Sequence, residues 1–268
     1  RLDLRVAFSE GWGNAFAGMV RNDPVYRDSF GAQQRSDFAI DVENNAVSFP
    51  GWFSEASVQS IFYDLYDSAS DSGDGVSLGF GPLHAAMRNP IRSTQAFTSV
   101  HVLVNALRAS QPAQASAISA LAGAQLIATT SDDFGTGETN NGGDERNIPI
   151  YPPIAPGGTL QVCSNLPTGG SGAVYNKLGN RRYLRFTLAV GGTVQLVARK
   201  GRSGTDPDIV LYAAGVERGR AEGSASGTET LTQALPAGTY VAEIYEYSNV
   251  AGTAPRGNEC FDVTLTLS

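Results

Sequence analysis

Glu10 lies in Phe8-Ser9-Glu10-Gly11-Trp12-Gly13-Asn14-Ala15-Phe16, where its neighbours are small or apolar. On a helix it stands beside Val6, Ala7, Gly13 and Asn14. A carboxylate in that company is exposed, paired, or bound to a metal ion. His84, in Gly81-Pro82-Leu83-His84, and Tyr63 are candidate catalytic groups that would hydrogen-bond a transition-state oxygen, with Tyr66 as a substitute. Asp64 and Glu55 are candidates to orient a metal ligand from behind. His101, between Val100 and Val102, reads as structural. The chain's two histidines are too far apart to form a His-x-x-x-His pair.

Two acidic groups resemble calcium loops without the spacing of an EF-hand. One is Asp67, Asp71 and Asp74 with Gly73 and Gly75; the other is Asp132, Asp133, Asp144 and Glu145. Each reads first as a solvated acidic turn. Cys163 and Cys260 bracket the last third of the chain. A Cys163–Cys260 bond would close a long loop and imply an oxidising compartment. Arg185 and Arg199 are expected on neighbouring strands, opposite the apolar face, flanked by Arg181, Arg182, Lys200 and Arg202. They suggest a basic patch for an acidic polymer or for the acidic first domain, and the outward Tyr245 and Tyr247 could contact a polymer. The other reading is pairing with Glu243 and Glu246 at an exposed surface.

The elements that must position these residues change once along the chain. Up to about residue 126 the apolar positions recur every three or four; from about 160 they alternate. Helices are expected over 4–20, from Ser54, over 82–88, 94–109 and 112–127. The first would bury Phe8, Trp12, Ala15, Phe16 and Met19. Its Gly11, Gly13 and Gly18 each cost about 1 kcal/mol against Ala in a helix, which makes sense where another backbone approaches closely. Strands are expected over 184–190, 193–199, 209–212 and 239–247, and at the C-terminus, where Phe261, Val263, Leu265 and Leu267 share a face. The fold class is therefore α + β in several domains: an all-α helical lobe at 1–130, a Gly/Asp/Pro-rich linker at 131–157, and an antiparallel β-sandwich at 158–268.

Composition excludes several functions. With 26 acids against 19 bases the chain carries −7, the wrong sign for a nucleic-acid binder. No apolar run is long enough to span a bilayer. Two cysteines exclude a four-cysteine zinc site. The first residues, Arg1-Leu2-Asp3-Leu4-Arg5, enter a helix at once, which reads as a fragment or a processed product.

The segment around Glu10 resembles the glutamate-bearing helix of gluzincin-type zinc metallopeptidases, in which a preceding helix carries His-Glu-x-x-His and a later one supplies a Glu as third ligand. Trp52-Phe53-Ser54-Glu55-Ala56-Ser57-Val58 and Phe62-Tyr63-Asp64-Leu65-Tyr66-Asp67 are similar to the helical part of that family. The resemblance implies zinc, with Glu10 as a ligand, and a protein or peptide substrate. The chain has no His-Glu-x-x-His, so the resemblance also implies a missing N-terminal segment that bears it. Further on, Tyr183-Leu184-Arg185-Phe186-Thr187-Leu188, Asp206-Pro207-Asp208-Ile209-Val210-Leu211-Tyr212 and Ala237-Gly238-Thr239-Tyr240-Val241-Ala242 resemble the bacterial pre-peptidase C-terminal domain, a secreted β-sandwich appended to peptidases.

Together these imply the C-terminal part of a secreted bacterial metallopeptidase, not catalytic by itself. The alternative is a non-catalytic, secreted binding or assembly module. If the helical lobe exposes a surface meant for a missing segment, that apolar surface favours self-association.

Overall fold

A computed structural model of the chain describes residues 1–68, 75–166, 176–200, 204–224, 227–251 and 254–268. It divides into two units, Arg1–Arg92 with Thr98–Asp132, and Ser93–Phe97 with Asp133–Ser268. The fold class is α plus β, with two four-stranded antiparallel sheets in the second unit.

In the first unit helix α1 (Leu4–Arg21) begins at Asp3, whose side chain accepts from the Arg5 amide, and ends at Asn22 in the left-handed conformation. Helix α2 (Glu55–Tyr66) begins at Ser54, whose hydroxyl accepts from the Ser57 amide. The two pack together through Phe8, Trp12 and Phe62, with the Trp12 and Phe62 rings 4.9 Å apart. The buried stripe of α1 is Leu4, Ala7, Phe8, Gly11, Asn14, Ala15, Gly18 and Met19. Phe16, expected inside, is 38% exposed, and Trp12 is only half-buried. The glycines explain the rotation. A Cβ on Gly11 would lie 2.7 Å from Val58 Cβ, and one on Gly18 would lie 3.0 Å from the Tyr63 ring. Their face is where α2 comes closest.

Helices α3 (Phe80–Arg88), α4 (Pro90–Ser93), α5 (Val100–Ser110) and α6 (Ala115–Ala124) follow. The helix expected over 94–109 starts only at Val100, because residues 93–97 belong to the second unit. There the Thr94 hydroxyl donates to Asp133 Oδ2 at 2.8 Å, and the Phe97 amide donates to the Tyr151 hydroxyl at 3.1 Å. The helix expected to reach 127 stops at Ala124, and Leu126, inside the expected range, is exposed with positive φ.

The first unit is also not purely helical. Strands β1 (Val25–Phe30) and β2 (Ser36–Asp41) form an antiparallel hairpin, in register from Val25↔Asp41 to Phe30↔Ser36. Most of its residues are exposed, Phe30 and Phe38 among them, so burial imposed no alternation on the sequence.

The second unit contains β3 (Thr159–Ser164), β4 (Arg181–Leu188), β5 (Gly192–Arg199), β6 (Pro207–Ala213), β7 (Val216–Ala221), β8 (Thr228–Leu235), β9 (Gly238–Glu246), the short helix α7 (Tyr247–Ala251) and β10 (Glu259–Leu267). The sheets run β3-β10-β5-β8 and β4-β9-β6-β7. Their facing sides bury Leu184, Phe186, Leu196, Ile209, Leu211, Ile244, Phe261, Val263 and Leu265. This is the inner half of each alternating strand.

The outer side of the β4-β9-β6-β7 sheet is covered as well. Residues 131–157, expected as a linker, bury Glu138, Asn147, Ile150, Tyr151 and Ile154. The Arg185 amide donates to Pro152 O at 3.1 Å, and the Ile154 amide to Arg185 O at 2.9 Å. Phe97, Tyr151, Tyr183 and Tyr212 form an aromatic cluster there, with Phe97 edge-on to both Tyr183 and Tyr212 at 5.0 Å.

Candidate functional site

Glu10 is exposed, one turn before Asn14. Asn14 is buried against α2, and its Nδ2 donates to Glu55 Oε1 at 2.8 Å and to Gln59 Oε1 at 3.0 Å. An amide nitrogen carries two hydrogens, and here both are directed to α2. The pair fixes the rotation of α1 about its axis, and with it the direction of Glu10. Tyr26, on the hairpin, donates to Asp28 at 2.9 Å. That hydrogen bond pushes its phenol pKa up, and the charges of Glu10 and Glu55 add to the rise. A cavity of about 530 Å³ opens beside Glu55 and Gln59, with Arg1, Asp41 and Phe49 among its walls.

The other expected site residues of this unit go elsewhere. Tyr63 is buried beside Gly18, and burial pushes its phenol up to about 12. His84 is exposed and stacks on Phe80, 5.5 Å between rings. Neither makes a hydrogen bond to Glu10 among the described residues. Asp64 is buried and accepts from Asn45 Nδ2 at 2.9 Å. Asn45 in turn is held by Gln125, and Gln125 by the Ser57 hydroxyl. This network anchors the loop before α2. Of the two expected orienting residues, then, only Glu55 is tied to the turn that follows Glu10. Asn14 and Gln59 were missed, though the i, i+4 spacing of Glu10 and Asn14 was the available signal.

Among the described residues no group of three or more His, Cys, Asp and Glu side chains is placed to hold a metal ion. Asp71 and Asp74 lie outside the described residues. In the second acidic group Asp133 accepts from Thr94, while Asp144 pairs with Arg146 at 2.7 Å and accepts from Asn165. Hydrogen bonding to Arg146 holds the Asp144 carboxyl below its usual range.

In the second unit Cys163 and Cys260 stand directly opposite on β3 and β10 and form a disulfide. The expected arginine patch is not assembled. Arg185 is on β4 and Arg199 on β5, which belong to different sheets rather than neighbouring strands. Arg182 is buried and donates to Asn147 Oδ1 at 2.9 Å. Tyr245 is buried, its hydroxyl donating to Glu222 at 2.7 Å. Glu243 and Glu246, expected exposed, are buried, and Glu243 pairs with Arg181. Arg182 is held by Asn147 and Glu246 by the Asp206 amide, long-range partners that an isolated strand pattern does not foretell. Arg202 lies outside the described residues. Arg185 stacks over Phe134 at 4.4 Å, at the wall of a cavity of about 460 Å³ formed with Ile148, Pro149 and Tyr151.

No family model matches the chain, and no curated protein matches it. Solved structures do. The pre-peptidase C-terminal domain of a Bacillus anthracis collagenase is 13% identical, covers 43% of this chain and 94% of its own, and has a TM-score of 0.33. CorA, a surface-associated copper-binding protein of Methylomicrobium album BG8, is 12% identical, with 44% and 99% covered and a TM-score of 0.29. PliG of Salmonella Typhimurium, a periplasmic inhibitor of g-type lysozyme, is 14% identical, with 44% and 98% covered and a TM-score of 0.26. Likeness at these scores assigns neither family nor function. No helix among the described residues is long and apolar enough to cross a membrane.

Proposed function

We propose that the chain is the C-terminal part of a secreted zinc metallopeptidase, in which Glu10 supplies one zinc ligand and the β-sandwich is an accessory module. The observation that carries this reading is the setting of Glu10. Its carboxylate is exposed on α1 while Asn14, one turn on, is clamped to Glu55 and Gln59. A ligand on a rigid, second-element-supported helix is what a metal site requires.

The donors of this chain alone do not fit a catalytic zinc, which needs three protein ligands and an open position. Glu10 offers one carboxylate, and the described residues gather no set of three. The remaining ligands and the general base therefore belong to a segment carrying His-Glu-x-x-His. The disulfide agrees with a location outside the cytoplasm.

The second reading, a non-catalytic binding or assembly module, is favoured by the cavity beside Arg185. The natural protein extended upstream of Arg1 separates the two. The first reading expects one bound zinc and casein hydrolysis, both lost in Glu10→Gln, whose melting temperature should equal that of the zinc-free wild type. An extended protein without zinc, or one that keeps zinc in Glu10→Ala, leaves the binding module as the function.

A further inference from the structure

Four strands of the second sheet place a row of side chains across its outer side. Arg181 on β4 is paired in register with Tyr245 on β9, and Tyr245 with Asp208 on β6. The row ends at Glu222, the residue after β7 and one beyond the Ile209–Ala221 pair. The Arg181 guanidinium lies over the Tyr245 ring at 4.6 Å. The Tyr245 hydroxyl reaches past Asp208 to donate to Glu222 Oε1 at 2.7 Å. Strand β7 is the edge of this sheet, so that hydrogen bond ties the edge to a central strand.

Asp208 sits in the middle of the row and is 2% exposed. Its Oδ1 is buried without a hydrogen-bond partner among the described residues. Burial pushes its carboxyl up to about 7, and the charges of Asp206, Glu222 and Glu229 add to the rise, while the Tyr245 hydroxyl opposes it.

The cations of the neighbourhood are engaged with other acids. Arg181 pairs with Glu243, Arg220 with Glu217 and Glu222, and Arg256 with Glu246. Glu246 also accepts from the Asp206 amide, and Glu229 from the Gly223 amide. The group is thus rich in acceptors and poor in donors. A phenol has one hydrogen, and an ionised carboxylate has none to offer. Protonated Asp208 leaves the Tyr245 hydrogen to Glu222. Ionised Asp208 competes for it.

We propose that Asp208, Tyr245 and Glu222 form a proton-dependent latch on the edge strand β7, closed when Asp208 holds a proton and loosened when it does not. A proton rather than a divalent cation fills the role, because no three carboxylates here converge as metal ligands among the described residues.

The linkage has a definite sign. Asp208 binds its proton more tightly in the closed latch than in solvent, where an aspartate titrates near about 3.9. Closure is therefore most favoured in acid, weakens as pH rises from about 4 to about 7, and is level above that.

Amide hydrogen exchange of the full chain, corrected for the intrinsic pH dependence of exchange, tests this. Protection of the β7 amides should fall between pH 5 and pH 7, by at most about tenfold per pH unit, then level off. Asp208→Asn, which cannot ionise, should show no such slope. Tyr245→Phe should lower β7 protection at every pH while leaving β5 and β10 unchanged. The latch is overturned if Asp208→Asn keeps the wild-type slope, or if Tyr245→Phe leaves β7 protection intact. It is also overturned if millimolar calcium at pH 7.5 restores full protection to the wild type, since the group would then be taking a cation.

Discussion

Asn14 joins α1 to α2 through both hydrogens of one amide, with Glu55 and Gln59 as acceptors at 2.8 and 3.0 Å. Gln59 is 3% exposed, so its oxygen has little access to water when that donor is removed. Asn14→Ala should destabilise the first unit by about 1–3 kcal/mol, the cost of leaving a buried acceptor unmade. Asn14→Asp should cost more at pH 7 than at pH 4, because it sets a new carboxylate against Glu55. Thermal unfolding followed by tryptophan fluorescence reads both, and unchanged melting temperatures in the two variants would show that this contact does not hold the helices.

The glycines of α1 make a sharper comparison. Gly11 faces Val58 Cβ and the Glu55 carbonyl oxygen at 2.7 and 2.9 Å from a built Cβ, whereas Gly13 faces nothing within 4 Å. Gly11→Ala should therefore push α1 from α2 and destabilise by about 1–3 kcal/mol. Gly13→Ala should stabilise by up to about 1 kcal/mol, the ordinary helix preference for alanine. The two substitutions are chemically identical, so chemical denaturation of the pair isolates the packing. Equal effects would contradict the close approach of the helices.

Particular residues show what was legible beforehand. Leu184, Phe186 and Leu188 alternate, and all three are core. Ser54 and the apolar stripe of α2 marked a helix start that the structure keeps. The hairpin β1–β2 and the edge strand β7 carried no signal, because exposed strands are specified by pairing rather than burial. Residues 94–99 have helical periodicity, yet Thr94 and Phe97 serve the other unit, and tertiary contact overrides local preference. At the candidate site Glu10 was found through its motif. Asn14 was seen only as a helical neighbour of Glu10, since its partners are 41 and 45 residues away. The aspartate of the latch was named only within the segment that resembles the pre-peptidase C-terminal domain, with no role of its own. Its burial comes from strands that meet across the sheet.

The Cys163–Cys260 bond closes a span of 97 residues that contains most of the sandwich. Closing so long a loop restricts the unfolded chain, and a native bond of this kind contributes about 2–4 kcal/mol. Replacing both cysteines by serine should lower the melting temperature of the second unit and leave the tryptophan-reported transition of the first unchanged. If reduction with dithiothreitol moves neither transition, the bond does not support the sandwich.

The two units should respond to acid in opposite directions. His101 in the first unit is 2% exposed, and burial lowers its pKa to about 4 from an ordinary value of 6.5, with Asp132 acting the other way. The unfolded chain therefore binds a proton there below about pH 6.5 that the folded unit refuses, and the unit loses stability as pH falls from about 6.5 to about 4. Asp208 in the second unit is raised from 3.8 to about 7, so the folded unit binds the extra proton and gains stability over nearly the same interval. Trp12 and Trp52, the chain's two tryptophans, both belong to the first unit, so their fluorescence follows it alone. Near-ultraviolet circular dichroism reports both units, and the transition it shows that fluorescence does not share belongs to the tyrosine-rich second. Acidifying from pH 7 to pH 4.5 should move the fluorescence transition to lower temperature and the sandwich transition to higher temperature. His101→Gln should flatten the first dependence and Asp208→Asn the second. If both transitions shift the same way, or if neither variant changes its own unit's slope, these two buried groups are not what sets the acid response.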